Sequence, residues 1–286
     1  YHVQREDMGF PWMKGEQPEL VLEEEALPEI SEEHADFLFE IGCEELPTAD
    51  LDAAISNLES LMKTLLLEAR LEYNKLSVRG TPRRLAVQVE GLQTRQAERK
   101  LEVKGPPADR AFDAEGKPTK TAEGFARSRE VDVEQLQVRD FENGRYVVVE
   151  IHEAGKPTLE ILAEALPGVL ANLRFTKSMR WNDSGVSFSR PIRWLVALLG
   201  EVVLPFSYAG LKSGRVTHGL RFSQDAEKVL LSPSDYPEYL QQQGIILDSI
   251  ERRETIWDQA LALAEKVGGT LAEDPDLLEE VGNLVE

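Results

Sequence analysis

The chain has 286 residues and is acidic, with 32 lysines and arginines against 52 aspartates and glutamates and a formal net charge of −20. Its one cysteine, Cys43, excludes a disulfide within the chain, and its four histidines are too scattered for a metal-ligand spacing. No apolar run reaches the ~18 to 20 residues that cross a bilayer, so we predict no membrane partner and no metal site. The length predicts about two domains.

The charge is unevenly distributed along the chain. Residues 1–36 carry a net charge of −9 and three prolines, and the stretch 16–36 indicates a solvated acidic linker. Two later islands reverse the sign, with +4 over 77–110 and +6 over 174–221. Phosphate is a common external partner of such islands, because a guanidinium can bind it through two parallel hydrogen bonds. The alternative, that these arginines are ordinary surface charges or partners of buried carboxylates, stays open.

Hydrophobic periodicity predicts strands and helices in blocks, without regular β-α-β alternation. We predict strands over 37–43, 85–89, 145–151, 192–199 and 202–208, and helices over 50–72, 121–128, 159–173, 234–243, 248–267 and 275–285. This order predicts an α+β fold with largely antiparallel sheets, packed helices and more than one subdomain.

The sequence lacks the motifs of phosphate loops, dinucleotide sites and serine hydrolases. Glu44 and Glu45 form a tight carboxylate pair in an apolar, turn-like setting, but adjacent side chains point apart and rarely form an acid–base dyad. We therefore predict a structural or docking role for these two glutamates and no catalytic residue in the chain.

Two runs, 80–85 and 177–195, place arginines beside proline or tryptophan. Proline stiffens the backbone and tryptophan can stack on a base or a guanidinium, so both runs suit contacts with RNA. The predicted nucleic-acid contacts are Arg79, Arg83, Arg84, Lys177, Arg180, Trp181, Arg190 and Arg193. Tryptophan core anchors with arginine–carboxylate pairs behind them are the alternative.

The same runs carry a resemblance to a known family. The motifs, in chain order, are 39–47 (Phe-Glu-Ile-Gly-Cys-Glu-Glu-Leu-Pro), 81–87 (Thr-Pro-Arg-Arg-Leu-Ala-Val), 105–106, 111–112, 116–119, 124–128, 177–181, 190–196, 213–214, 217 and 219–222. Together they resemble the N-terminal region of the β subunit of bacterial-type glycyl-tRNA synthetase. Residues 5–11 resemble the end of the α subunit of that enzyme. An α tail followed by a β start is similar to the fused synthetases of chloroplasts and mitochondria.

The resemblance implies a domain organisation: an α tail over 1–15, the linker over 16–36, an α+β region over 37–225 and a further helical or α+β subdomain over 226–286. It implies that ATP, Mg²⁺ and glycine are handled by the α catalytic region, with no cofactor here. The implied partners are glycine tRNA, which the basic candidates would bind, the α region, which Glu44 and Glu45 would meet, and a second fused chain in a homodimer. The implied location is the chloroplast or mitochondrion for a fused form and the bacterial cytoplasm otherwise.

Three functions follow from these observations. The first is a non-catalytic segment of glycyl-tRNA synthetase that supports tRNA binding and assembly with α. The second is a purely architectural docking module, and the third is an editing-type hydrolase of mischarged tRNA.

Overall fold

The computed structural model describes residues 28, 30–113, 115–223 and 226–286. The predicted α tail and most of the predicted linker lie outside these residues. In the described part of the chain, no helix is long and apolar enough to cross a membrane.

The secondary-structure elements are numbered in chain order. The strands are β1 (His34–Cys43), β2 (Lys75–Thr81), β3 (Arg84–Gln93), β4 (Arg99–Pro107), β5 (Gln137–Phe141), β6 (Gly144–Glu153), β7 (Met179–Arg180), β8 (Ser187–Phe188), β9 (Ile192–Leu199), β10 (Val202–Val203), β11 (Ser207–Tyr208), β12 (Leu211–Lys212), β13 (Val216–His218) and β14 (Glu227–Val229). The helices are α1 (Thr48–Glu68), α2 (Ala108–Ala111), α3 (Lys120–Ser128), α4 (Thr158–Asn172), α5 (Asp235–Gln242), α6 (Ser249–Lys266) and α7 (Pro275–Gly282). These elements confirm the predicted α+β class.

A five-stranded sheet, in the order β10-β9-β1-β3-β2, forms the centre of the fold. Its paired strands run antiparallel, as predicted. Strand β1 lies in the middle because it is apolar on both faces, which suits a strand that is covered from two sides. Alternation along β1 sends Phe37, Phe39 and Ile41 into one core and Leu38 and Glu40 into another.

The first core lies between the sheet and the helices α1 and α4. The buried residues of α1 recur at helical spacing, at Leu51, Ala54, Leu58 and Met62, so one face of the helix packs on the sheet. The predicted helix over 50–72 ends earlier, at Glu68, and Arg70 follows it with a positive φ of 55°. The chain thus leaves the helix in a turn that leads back to β2.

A small lobe is inserted between β3 and α4. Its three-stranded antiparallel sheet, in the order β4-β6-β5, packs one face on α2 and α3 around a core that includes Ala122, Ala126, Val147 and Val149. Periodicity predicts β6 and α3 but not β4 and β5. The residues of β5 are all exposed, so this strand lacks the apolar alternation that marks a half-buried strand.

The second face of the central sheet is covered by the chain beyond residue 229. Leu230, Tyr236, Leu240 and Ile245 pack there against Leu38, Ala86, Trp194, Val196 and Leu198. The predicted boundary between 225 and 226 falls between β13 and β14, which pair with each other. That boundary stays a prediction, and the shared core makes residues 230–245 part of the same packing unit as the sheet.

Candidate functional site

Segments from distant parts of the sequence meet where β1 ends. The Cys43 N–H donates to the Arg83 carbonyl at 2.9 Å, and the Glu44 N–H donates to the Pro191 carbonyl at 2.9 Å. Arg83 belongs to the first basic island, and Pro191 lies between Arg190 and Arg193 of the second. The fold therefore brings parts of both islands to one end of the central sheet.

A buried polar group, here called the inner cluster, lies on the second face of the sheet at this end; its members are Glu40, Arg84, Trp194, Tyr236 and Glu286. The Glu40 carboxylate is fully buried and accepts hydrogen bonds from Arg84 Nη1 at 3.2 Å, the Tyr236 hydroxyl at 2.9 Å and Trp194 Nε1 at 2.9 Å. Three donors thus satisfy one carboxylate that has no access to water. Burial, together with the Glu40 charge, raises the pKa of Tyr236, so its hydroxyl remains a donor.

Arg84 bridges two carboxylates inside this cluster. Besides Glu40, its Nε and Nη2 atoms donate to Glu286 Oε1 at 3.1 and 3.0 Å. The same Glu286 oxygen accepts from the Thr81 hydroxyl at 2.9 Å. Burial alone would lower the pKa of Arg84, but Glu40, Tyr236 and Glu286 raise it, and the net shift is upward. Arg84 carries its charge as a structural ion.

The position of Arg84 requires a correction to its predicted role. The sequence predicts a tRNA contact, but the side chain has 0% of its surface exposed. The guanidinium is enclosed by Glu40, Glu286 and the Trp194 ring, whose centroid lies 5.7 Å from Arg84 Cζ. An RNA phosphate has no path to it in this structure, so the alternative of an arginine paired with a buried carboxylate describes Arg84.

The Trp194 ring lies on the backbone of β1. A Cβ atom added at Gly42 would lie 1.9 Å from Trp194 Cδ2, so only glycine fits there. The His218 ring packs against Trp194 with centroids 4.6 Å apart. Burial lowers the pKa of His218, with Arg83 and Arg84 acting in the same direction and Glu227 and Glu40 acting against it.

A second, exposed group of charges surrounds the end of β1; this outer cluster consists of Glu44, Glu45, Arg190, Arg193 and Arg221. Glu44 Oε1 lies 3.6 Å from Arg193 Nε, and its Oε2 pairs with Arg221 Nη2. Arg221 Nη1 also lies 3.6 Å from Glu45 Oε1, and Arg190 Nε donates to the Glu45 carbonyl at 3.0 Å. The glutamates predicted to meet the α region and the arginines predicted to meet tRNA are therefore neighbours within one chain.

Lys177 and Arg180 lie on a cationic hairpin, residues 177–190, in which β7 pairs with β8. Both side chains are exposed, and neither forms an ion pair with any residue that the structure describes. Met179, between them, is 59% exposed. The hairpin is anchored near the outer cluster, because Asp50 in the first turn of α1 accepts from the Thr176 N–H at 3.1 Å and the Ser189 hydroxyl at 2.7 Å.

Three predicted contacts have intermediate surroundings. Trp181 is half-buried against the first core and donates from Nε1 to the Phe188 carbonyl at 2.9 Å. Arg79, on β2, pairs with Asp248 at 3.1 Å. Arg83 is mostly buried and reaches the Gly219 carbonyl and Glu286, each at 3.4 Å. Trp181 thus packs as a core anchor, while Arg79 and Arg83 retain only part of their surface for a ligand.

A surface pocket of about 530 Å³ opens beside Arg83, and Arg221 and Phe222 form part of its wall. Within the described residues, no group of three or more His, Cys, Asp or Glu side chains could hold a metal ion. Burial raises the pKa of the Cys43 thiol, which is the state of a packed rather than a reactive cysteine. The arrangement offers guanidinium and ammonium groups to an anion.

Several residues of the two clusters are absent from the sequence-based candidates. Arg221 belongs to the second basic island and lies in the 219–222 motif, so the sequence could have identified it as a candidate. Glu40 lies in the first motif. Strand alternation also places it on the same face as the apolar Leu38, which indicates a buried carboxylate. Tyr236 and Glu286 carry no local signal, because only the tertiary fold brings them to Arg84 and Glu40.

The fold and these clusters define an α+β protein with a cationic surface at one end of its central sheet. The family described as "Glycyl-tRNA synthetase beta subunit" matches residues 37–286. The chain is 43% identical over 251 residues to the "Glycine--tRNA ligase beta subunit" of Desulforamulus reducens, covering 88% of this chain and 36% of that protein. It is 42% identical over 263 residues to "Glycine--tRNA ligase, chloroplastic/mitochondrial 2" of Arabidopsis thaliana, covering 92% of this chain and 25% of that protein.

The chain therefore belongs to the glycyl-tRNA synthetase β-subunit family, which confirms the resemblance carried by the motifs. It spans about a third of the length of the bacterial relatives and a quarter of the Arabidopsis one.

Proposed function

We propose that this chain is a non-catalytic part of a glycine–tRNA ligase that binds glycine tRNA and contacts the α catalytic region. The observation that carries the proposal is the meeting of parts of both basic islands at one sheet end, where the cationic hairpin joins the outer cluster through Arg190. Family membership indicates which RNA would bind, since the relatives are named as glycine–tRNA ligases. ATP, Mg²⁺ and glycine would be handled by the α region.

The proposal extends to the whole protein. The Arabidopsis relative is named as chloroplastic and mitochondrial, which favours an organellar form. We propose that this form is a fused chain and that it assembles as a homodimer. The bacterial relatives are named as β subunits, which favours a separate α partner in a bacterial cytoplasm. In both forms Glu44 and Glu45 lie at an exposed sheet end that a basic surface of α could reach.

Salt-dependent tRNA binding tests the RNA contact. The double change Lys177→Ala and Arg180→Ala removes two exposed cations that have no ion-pair partner among the described residues. Removing one phosphate contact should reduce the magnitude of the slope of log affinity against log salt concentration by about 0.7 to 0.9. We expect the double variant to bind a glycine tRNA transcript several-fold more weakly at low salt, measured by filter binding with the 286-residue chain.

The matched control is Lys117→Ala with Lys120→Ala, which removes two exposed cations from the inserted lobe. Equal losses in both double variants would indicate general charge attraction and would overturn the assignment to the hairpin. Absence of salt-dependent binding in the parent chain would overturn tRNA binding altogether.

The second candidate is an architectural docking module. It is favoured by one observation: Arg83 and Arg193, with Arg221, already pair with carboxylates of this chain. This candidate predicts that the chain binds the α region but not tRNA. The third candidate, an editing hydrolase, predicts deacylation of mischarged tRNA by the purified chain; a rate equal to spontaneous hydrolysis would exclude it.

A further inference from the structure

Glu44 has an unusual position among the exposed carboxylates of this protein. Its backbone is fixed, because its N–H is bound to Pro191 and the N–H of the preceding Cys43 is bound to Arg83. Its carboxylate therefore stays at the centre of the sheet end. One oxygen faces Arg193 from β9, and the other faces Arg221 from the segment that follows β13.

One carboxylate thus holds two arginines from separate parts of the fold. The side chains remain accessible, with 36% of Glu44, 52% of Arg193 and 41% of Arg221 exposed. Ion pairs with this exposure are weak, because water screens both charges. A phosphate can present oxygens to both guanidiniums in the same way as the carboxylate does. When the phosphate belongs to an RNA backbone, neighbouring nucleotides add further contacts.

We propose that Glu44 is an internal competitor at the RNA-binding surface: its carboxylate occupies a phosphate subsite between Arg193 and Arg221, and an RNA phosphate must displace it. This inference rests on the proposed tRNA binding and deepens it. Lys177 and Arg180 on the hairpin attract any polyanion, since no carboxylate of the described residues pairs with them. The subsite, by contrast, opens only to an RNA that places a phosphate between the two arginines.

The consequence is a surface whose affinity for phosphate is lowered by the protein's own carboxylate. A polyanion that meets only the hairpin gains the two cations Lys177 and Arg180, whereas an RNA whose backbone spans the hairpin and the subsite also gains Arg193 and Arg221. Glu44 lowers the affinity of the second kind of ligand by the cost of displacing its carboxylate, and it imposes no such cost on the first kind, which does not enter the subsite.

The test is the change Glu44→Gln in the full 286-residue chain, with a glycine tRNA transcript and a single-stranded DNA homopolymer as ligands. We expect the variant to bind the tRNA about threefold to tenfold more tightly at low salt, because no carboxylate has to be displaced from the two arginines. Affinity for the homopolymer should rise by no more than that for the tRNA, because a strand that does not displace the carboxylate in the parent chain bears no displacement cost there.

The matched control is Glu59→Gln. Glu59 pairs with Lys63 on α1 at 2.6 Å, so this change also removes one negative charge and frees one cation, about 16 Å along the helix from its first residue. We expect it to leave the affinity and the salt slope close to those of the parent chain. Circular dichroism and thermal unfolding check that each variant is folded.

The outcomes separate the two proposals. Equal effects of Glu44→Gln and Glu59→Gln, or weaker tRNA binding by Glu44→Gln, would overturn the subsite while leaving tRNA binding by the parent intact. Binding by Glu44→Gln without binding by the parent would support the subsite and overturn the proposed function of the native chain. Absence of binding by both would overturn both proposals.

Discussion

Strands β1 and β9 contribute to both the inner and the outer cluster, but the two clusters have opposite properties. Strand β1 supplies Glu40 to the inner cluster and leads directly into Glu44 of the outer one, and β9 supplies Trp194 and Arg193 in the same way. Glu40 and Arg84 are fully buried, whereas the side chains of Glu44 and Arg193 are 36% and 52% exposed. Four positions along the chain separate Glu40, in a buried ion pair, from Glu44, in an exposed one.

Residue type alone does not decide the role of an arginine in this protein. Arg83 and Arg84 are adjacent in a basic island, yet Arg84 points into the fold and Arg83 towards the pocket at the sheet end. A buried carboxylate requires a full set of donors, since an unpaired charge in the core costs several kcal/mol. The exposed pairs have no such requirement, because water replaces a missing partner.

Glu40→Ala should give the largest effect. The change leaves the Tyr236 hydroxyl and Trp194 Nε1 without an acceptor and removes one of the two carboxylates that hold Arg84. We expect the free energy of unfolding to fall by about 3 to 5 kcal/mol, measured by urea denaturation of the 286-residue chain. Because the pair is shielded from water, the loss should be nearly independent of salt. A loss below about 1 kcal/mol would contradict a buried ionic cluster.

The pH dependence of stability should give an intermediate effect, through His218. Its pKa in the folded chain lies below the ordinary value of 6.5, chiefly because it is buried against Trp194. The unfolded chain therefore takes up the proton first as the pH falls. The stability that depends on neutral His218 is complete above about pH 6.5 and is lost as the pH falls from there towards the folded-state pKa. The charged groups around His218 are Glu227, Glu40, Arg83 and Arg84.

The measurement compares the parent chain with His218→Phe, which retains a ring against Trp194 but does not titrate. Between about pH 7.5 and pH 5.5 we expect the parent to lose more free energy of unfolding than the variant. Equal losses would show that other groups carry the pH dependence and that His218 titrates alike in the folded and unfolded chains.

Most of the central fold could be predicted from the sequence. Strand β1 and helix α1 combine apolar spacing with proline punctuation, so local periodicity located both of them. Strands β4 and β5 could not be found in this way, because their exposed and mixed residues lack an apolar stripe and the strands depend on β6 for hydrogen bonds.

The candidate site was only partly predictable for a related reason. The density of motifs located the residues around 80–85 and 190–195. It did not predict which of their side chains point into the core and which point towards solvent. Arg84 begins β3 and is fully buried, whereas Arg83 lies in the preceding turn and lines the pocket at the sheet end. The partner Glu286 lies 202 residues away from Arg84, and such a separation leaves no trace in local patterns.

Glu44→Ala should give the smallest effect on stability, and it is the closest test of the comparison because it makes the same change as Glu40→Ala on the same segment. Arg193 and Arg221 are both more than two-fifths exposed, so water can solvate them once the carboxylate is gone. We expect the free energy of unfolding to change by no more than about 1 kcal/mol at low salt, and by less as salt rises. A loss as large as that of Glu40→Ala, measured in the same urea titration, would mean that the outer cluster is part of the structural core. A small loss combined with tighter tRNA binding is the result expected of a carboxylate that competes with RNA for the two arginines.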